Sequence, residues 1–204
     1  MYLIIQNVTS LFNQNLVLII LIIILISIWF LAQESKHKKR NFHFDAEAME
    51  VAKASAELKR KYNYKELMPE HFLWALFESP GKKLEFFLSH NGLDPSKGKK
   101  LLEDLFVQKS IKNEEVMPSQ PYLGEHVKQV IDKAKINIGK RKAIKISPID
   151  LFESLLEEAV FSNENVYNEL KKVIKSMDVS LEETHQHLKK FLKTNESTKS
   201  PPES

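Results

Sequence analysis

The chain has 204 residues, of which 28% are charged, with five glycines, no cysteine and a formal net charge of +3. The absence of cysteine excludes disulfide bridges, thiol nucleophiles and cysteine-based zinc sites, and so small a net charge gives no general argument for nucleic-acid binding. Many charges and few glycines fit a helical protein. The length allows one domain of ordinary size plus an appendage.

An unbroken apolar run extends from residue 16 to residue 32, interrupted by Ser27 alone. At about 1.5 Å per residue, a helix over this run would be roughly 26 Å long, close to the ~30 Å of a bilayer core. We therefore predict a transmembrane helix over 16–32. A cleaved signal peptide is the alternative, but no Lys or Arg precedes the run. Phe30-Leu31-Ala32 also lacks the small residue needed before a cleavage site.

Basic residues flank this run on its C-terminal side only. The positive-inside rule therefore places residues 1–15 outside the cell membrane and the remaining chain in the cytoplasm. Residues 33–41 form a basic linker, which contains Lys36, Lys38, Lys39 and Arg40. These nine residues reach at most ~30 Å when fully extended, so the domain that follows is held near the bilayer. The cluster could touch anionic headgroups, although an ordinary stop-transfer flank is the simpler interpretation.

Two stretches of the remaining chain begin with proline and carry the same apolar stripe. Proline fits the first position of a helix, and apolar residues at positions i, i+3 and i+4 predict a helix that buries one face. The stretches begin at Pro69 and Pro148, and their stripes are Phe72, Leu73, Leu76 and Phe77 in the first and Leu151, Phe152, Leu155 and Leu156 in the second. The sequence thus predicts two copies of one helix.

The similarity between the copies extends in both directions. Before each proline an aromatic residue, Phe44 or Tyr122, leads a predicted helix, and the apolar spacing after each proline also repeats. We predict an all-α domain over residues 42–193, built from two tandem four-helix repeats at 42–108 and 122–193. A polar linker would separate the repeats, and residues 194–204 are too polar to be buried and are expected to be disordered. Local signals include Asp45 as the first N-cap, Gly92 after the third helix and Gly139 at the end of the first helix of the second repeat.

No motif predicts catalysis, a cofactor or a metal. The stretch from Gly92 to Lys100 has five residues between its glycines, and Lys100 stands where a P-loop needs Ser or Thr. His185 and His187 would point in different directions on a helix, and two ligands do not make a metal site. We predict a non-enzyme without a cofactor, while a catalytic site assembled in space is a further alternative.

The densest positive cluster lies in the second repeat and lacks the interleaved aromatic residues of a single-strand binder. Its members are Lys133, Lys135, Lys140, Arg141, Lys142 and Lys145. A solvated face is the main interpretation. Binding of anionic lipid or nucleic acid is the alternative, with nucleic acid the less expected partner.

This organisation resembles the Clp N-terminal domain, also called the Clp repeat domain, found at the front of Clp-family ATP-dependent unfoldases. Pro69-Glu70-His71-Phe72-Leu73 is similar to the family's helix opening Thr-Glu-His-Leu-Leu, apart from the threonine. Phe44 and Tyr122 match its aromatic starts, and Asn91-Gly92-Leu93-Asp94 looks like its Gly-Val-Asp turn. The resemblance covers residues 42–193 and implies two tandem four-helix repeats.

The resemblance also implies a function. Family members are non-catalytic docking modules that bind client proteins or adaptors for an ATPase ring, and the chain ends where the ATPase modules would begin. A tethered copy would therefore hold clients at the membrane or recruit a Clp-type ATPase in trans, through a groove between the repeats. The residues that the resemblance implies for partner binding are Glu70, His71, Phe44 and Tyr122; for His71, support of its helix start is the simpler role.

One branch of the family reads phosphoarginine. That branch uses a threonine after each starting aromatic residue and the glutamate of each helix opening. The corresponding positions here hold Asp45, Leu123, Glu70 and Ile149. Because only Glu70 fits, and Asp45 would repel a phosphate, we predict that this chain does not bind phosphoarginine.

Overall fold

The structure, a computed structural model, describes residues 41–110, 122–162 and 165–197. The described helices belong to one compact unit that begins at Phe42. Within the described ranges no helix is both long enough and apolar enough to cross a bilayer. The helix predicted over 16–32 lies outside these ranges, as do residues 1–15, most of the basic linker and residues 198–204.

The described elements occur in the same order in both repeats. The first repeat contains β1 (His43–Phe44), α1 (Ala46–Lys61), β2 (Glu66–Leu67), α2 (Pro69–Glu78), α3 (Gly81–His90) and α4 (Pro95–Ser110). The second contains β3 (Tyr122–Leu123), α5 (Glu125–Lys140), β4 (Lys145–Ile146), α6 (Pro148–Phe161), α7 (Asn168–Ser176) and α8 (Leu181–Ser197), with a 3₁₀ turn at Asn165–Tyr167 before α7. The prediction of two four-helix repeats is confirmed, but the prediction of an all-α fold omits the four short strands.

The strands link the two repeats. β1 pairs in parallel with β4, and β2 pairs in parallel with β3. Each strand of one repeat therefore has its partner in the other. Two-residue strands are too short to show an alternating pattern, which is why the sequence gives no sign of them. The repeats interlock across these two strand pairs.

Local sequence determines where helices begin. The Oδ1 of Asp45 accepts a hydrogen bond from the backbone N–H of Ala48 at 2.7 Å, as an N-cap of α1 should. Pro69 and Pro148 occupy the first turns of α2 and α6. These three predictions are confirmed.

Helix ends also follow a common plan. Asn63 and Lys142, which follow α1 and α5, both have positive φ, and so do Gly92 and Asp178, which follow α3 and α7. Gly92 therefore acts as predicted. The prediction for Gly139 is wrong, because α5 passes through this buried glycine to Lys140 and the left-handed turn comes at Lys142.

The N-caps and the residues with positive φ show which positions of the two repeats correspond. Asp45 and Gly124 are the N-caps of α1 and α5 and lie 79 residues apart, the same separation as Asn63 and Lys142. The counterpart of Phe44 is therefore Leu123 and not Tyr122, and the counterpart of Asp45 is Gly124 and not Leu123. In the second half of each repeat the separation is 86 residues, as between Gly92 and Asp178.

The central helices α2 and α6 form the middle of the core. Every residue of α2 is buried except Trp74 and Glu78. The first nine residues of α6 are also buried. α2 packs against α1, α4 and α7, while α6 packs against α5, α8 and α3. Each central helix thus contacts the third helix of the other repeat, and one hydrophobic core is shared.

The helices extend slightly beyond the predicted repeat boundaries at 108 and 193. α4 ends at Ser110 and α8 at Ser197. The tail predicted to be disordered from residue 194 therefore begins inside α8. The residues that extend the two helices, 109–110 and 194–197, are polar, so the hydrophobic pattern does not reveal them.

Candidate protein-binding cleft between the repeats

A surface cleft of about 350 Å³ lies between α4 of the first repeat and α7 of the second. Its apolar surface comes from Leu101 and Leu105, one turn apart on α4, and from Val173 on α7. Its polar lining consists of Asp104, Gln108, Glu169, Lys172 and Ser176. An apolar floor with a polar rim is the usual anatomy of a protein–protein interface, and this volume has room for a few side chains of a partner.

The charges at the cleft are suited to recognition. The carboxylate of Glu169 accepts a hydrogen bond from the Lys172 ammonium at 3.0 Å, which leaves little net charge on the α7 side. Asp104 on the α4 side is exposed, so it is positioned to meet a positive charge on a partner. The lining contains no histidine, and the Glu169 carboxylate is paired with the Lys172 ammonium, so the arrangement favours binding over acid–base chemistry.

The rotation of α4 separates cleft residues from core residues. Leu102 and Phe106 are fully buried, whereas Leu101 and Leu105, one position earlier in each case, are half-buried beside the cleft. All four residues recur at positions i, i+1, i+4 and i+5, the spacing of one apolar helix face. Sequence spacing alone does not reveal which of them another helix covers.

Glu70, a residue implied for partner binding, lies under the surface. Its side chain is 4% exposed, with Oε1 3.9 Å from the Lys109 ammonium, and within the described residues its Oε2 has no hydrogen-bond partner. Burial raises the pKa of Glu70, and Glu169 at the cleft adds to this rise, while Lys109 and His126 oppose it. Glu70 is thus a buried acid that does not line the cleft.

His71 is a structural residue of α2. Its Nδ1 accepts a hydrogen bond from the backbone N–H of Met68 at 3.0 Å, the helix-start role expected from the sequence. The ring stacks on Phe106 at 4.8 Å between centroids and meets the edge of Tyr64 at 4.5 Å. Burial lowers the pKa of His71 to about 4, so the imidazole is neutral at pH 7 and carries its proton on Nε2.

The two aromatic candidates lie in strands. Phe44 in β1 is half-buried and packs against the core. Tyr122 in β3 is paired through its backbone with Glu66. None of the four residues implied by the resemblance lines the cleft, whose residues the sequence did not single out.

The predicted basic cluster is divided among different environments. Arg141 donates hydrogen bonds to Asp150 at 2.6 Å and to Glu153 at 2.8 Å, and its side chain is 16% exposed. Lys133 lies 3.5 Å from Glu158, and Lys135 lies 2.6 Å from Asp132. The exposed members are Lys140, Lys142 and Lys145. Carboxylates of the domain therefore compensate half of the cluster.

The sequence profile of the Clp repeat (R) N-terminal domain matches residues 43–170. The chain belongs to this family. Clp N-terminal domains are non-catalytic modules that bind substrate proteins. No curated protein sequence matches the chain.

Several solved structures share the fold. The N-domain of ClpV from Vibrio cholerae is 16% identical, with a TM-score of 0.54, and the match covers 74% of this chain and 85% of that one. The Hsp104 N-terminal domain from Candida albicans is 17% identical, with a TM-score of 0.55 and coverages of 72% and 89%. A ClpV N-domain in complex with a VipB peptide is 14% identical, with a TM-score of 0.52 and coverages of 74% and 87%.

Proposed function

We propose that the domain is a non-catalytic protein-binding module held at the cytoplasmic face of the cell membrane by a helix over residues 16–32. In this role it docks client proteins, or it recruits a Clp-type ATP-dependent chaperone or protease in trans. The cleft between α4 and α7 carries the proposal, because it is an apolar concavity built by one helix from each repeat. Leu101, Leu105 and Val173 would bury apolar side chains of the partner there.

Two further observations support the proposal. A ClpV N-domain of the same fold has been solved with a VipB peptide, so the fold is compatible with a peptide partner. The basic residues between Lys36 and Arg40 support the orientation that places the domain inside the cell. In that orientation the cleft is exposed to cytoplasmic proteins.

Binding of anionic lipid or nucleic acid through the cluster from Lys133 to Lys145 is the alternative. The engagement of Lys133, Lys135 and Arg141 by carboxylates weakens it. The two functions also differ in their response to salt. Phosphate binding by lysines weakens steeply as salt rises, whereas apolar contacts in the cleft tolerate salt.

The test replaces one cleft leucine in the full-length chain, purified in mild detergent. Leu105→Asp places a charge on the apolar floor, whereas Val107→Asp places the same charge on an exposed position of α4 outside the lining. The probes are a Clp-type ATPase from the same cells and a chemically unfolded model protein, with affinities measured at low and high salt. Because burying a leucine contributes about 1.5–3 kcal/mol and each 1.4 kcal/mol is tenfold, Leu105→Asp should weaken binding roughly ten- to a hundredfold.

The control should bind as the unmodified chain does, and circular dichroism should show both variants folded. Equal binding by both variants, or an equal loss in both, would contradict the assignment of the cleft. Binding that disappears at high salt would favour the basic cluster.

A further inference from the structure

The cleft has a structural counterpart on the opposite pair of helices. Residues of α3 and α4 correspond to residues of α7 and α8 at a separation of 86, the separation of the left-handed residues Gly92 and Asp178. The seam between α4 and α7 therefore corresponds to the seam between α8 and α3. The counterparts of Leu105, Lys172 and Ser176 are Phe191, Phe86 and His90.

Aromatic rings occupy this second seam. Phe86 is 51% exposed, and its ring stacks on His90 with 3.9 Å between centroids. Phe191 of α8 is half-buried. Its ring stacks on that of Phe86 in α3, with 6.0 Å between the centroids. The rings of two helices thus form an exposed aromatic surface, and contiguous exposed apolar surface usually marks an interaction site.

The charges of the second seam are opposite to those of the cleft. Lys83 and Lys190 occupy the positions that correspond to Glu169 and Asp104. Lys82 precedes Phe86 by one helical turn, and all three lysines are exposed. Glu85, the acidic residue of α3, corresponds to Lys171, which does not line the cleft. We call this surface the α3–α8 face; it consists of Lys82, Lys83, Phe86, His90, Lys190 and Phe191.

The α3–α8 face begins beside the point where the chain enters the domain. The first residue of α3, Gly81, lies against Glu47, since a Cβ on this glycine would overlap the Glu47 carboxylate. Glu47 is in the first turn of α1, five residues after Phe42. About nine residues separate Phe42 from the predicted membrane helix, a reach of at most ~30 Å. A bilayer at the N-terminal side is therefore within reach of the face.

We propose that the α3–α8 face rests on the anionic surface of the bilayer. Phenylalanine rings enter the interface between headgroups and acyl chains, while Lys82, Lys83 and Lys190 meet lipid phosphates. A second copy of the same face is a poor partner, because the lysines of the two copies would repel each other. The contact rests on the proposed membrane tether and is independent of the cleft, so a client remains free to bind between α4 and α7.

The experiment exploits the absence of cysteine from the chain. Ser89→Cys places one label on α3 beside Phe86, and Lys175→Cys places it at the corresponding exposed position of α7. Each labelled full-length chain is combined with bilayers of phosphatidylcholine, alone or with one-third phosphatidylglycerol, that contain quencher lipids. Quenching should be several-fold greater at Ser89 than at Lys175, and only in the anionic bilayers. The readout is the same whether the chain inserts or binds from solution.

Replacing Lys82 and Lys83 by glutamine should reduce the contact about fivefold per lysine. Equal quenching at the two positions, or quenching at Ser89 that ignores anionic lipid, would overturn the proposal. Shielding of the Ser89 label that grows with protein density in neutral bilayers would indicate a second copy and would also overturn it. Leu105→Asp should leave the quenching unchanged, which separates failure of this proposal from failure of the proposed function.

Discussion

The two repeats begin their central helices with the same hydrogen bond but different side chains. In α2 the acceptor is the imidazole of His71, which binds the Met68 N–H. In α6 it is the carboxylate of Asp150, which binds the Ser147 N–H at 2.8 Å. The neutral imidazole is enclosed by aromatic rings, whereas the carboxylate is paired with Arg141. Both repeats therefore place an acceptor at this position, and each acceptor lies in surroundings that suit its charge.

Removal of Arg141 should have the largest effect on this comparison. Arg141→Ala leaves the carboxylates of Asp150 and Glu153 without their counterion in a largely buried site. Such a change should lower the free energy of unfolding by about 3 kcal/mol, measured by urea denaturation. The control is Lys140→Ala at the exposed neighbouring position, which should change stability by no more than about 0.5 kcal/mol. A similar small cost for both variants would contradict the role of the ion pairs.

Acid should distinguish the two helix starts. The pKa of His71 falls from 6.5 to about 4 on folding because the ring is buried, so the unfolded chain binds the proton more tightly. The stability that the neutral ring contributes is complete above pH 6.5 and is lost as pH falls toward 4, by up to about 3 kcal/mol. His71→Gln should flatten this decline in denaturation curves recorded between pH 7 and 4. Part of the slope should persist, because burial also lowers the pKa of His185; an unchanged slope would contradict this account of His71.

The two seams between the repeats differ as well, although corresponding helices of the two repeats build them. The seam between α4 and α7 is a cleft with leucines and an exposed acid, Asp104. The seam between α3 and α8 carries stacked rings, Phe86 and Phe191, beside lysines. Two corresponding pairs of helices thus carry chemically distinct surfaces. One is suited to a chain segment of a partner and the other to an anionic layer.

Sequence reasoning found the features that depend on local physics. Proline at the start of α2 and α6, the cap formed by Asp45 and the left-handed Gly92 act within a few residues, so their signals are complete in the sequence. The strand pairs were missed because each strand has only two residues. This omission also led to the pairing of Phe44 with Tyr122, since an aromatic residue is a weaker guide to register than the N-caps Asp45 and Gly124.

The candidate site was less accessible to sequence reasoning. Leu101 and Leu102 are neighbours of the same type, yet only Leu101 lines the cleft, because the packing of α4 turns Leu102 into the core. Arg141 looked like part of a surface cluster because its partners Asp150 and Glu153 lie on the next helix. Glu70 and His71 belong to a recognisable motif, but the side chains of both are buried in the domain.

Site-specific photo-crosslinking tests the central claim most directly, namely that only one of the two seams binds a protein partner. A photoreactive residue replaces Gln108 at the rim of the cleft or, in a second variant, Thr194 at the corresponding position of the other seam; both positions are exposed. The full-length variants are irradiated with a Clp-type ATPase or with an unfolded model protein. We predict crosslinks from position 108 and none from position 194. Equal crosslinking from both positions, or binding without any crosslink from position 108, would contradict the account.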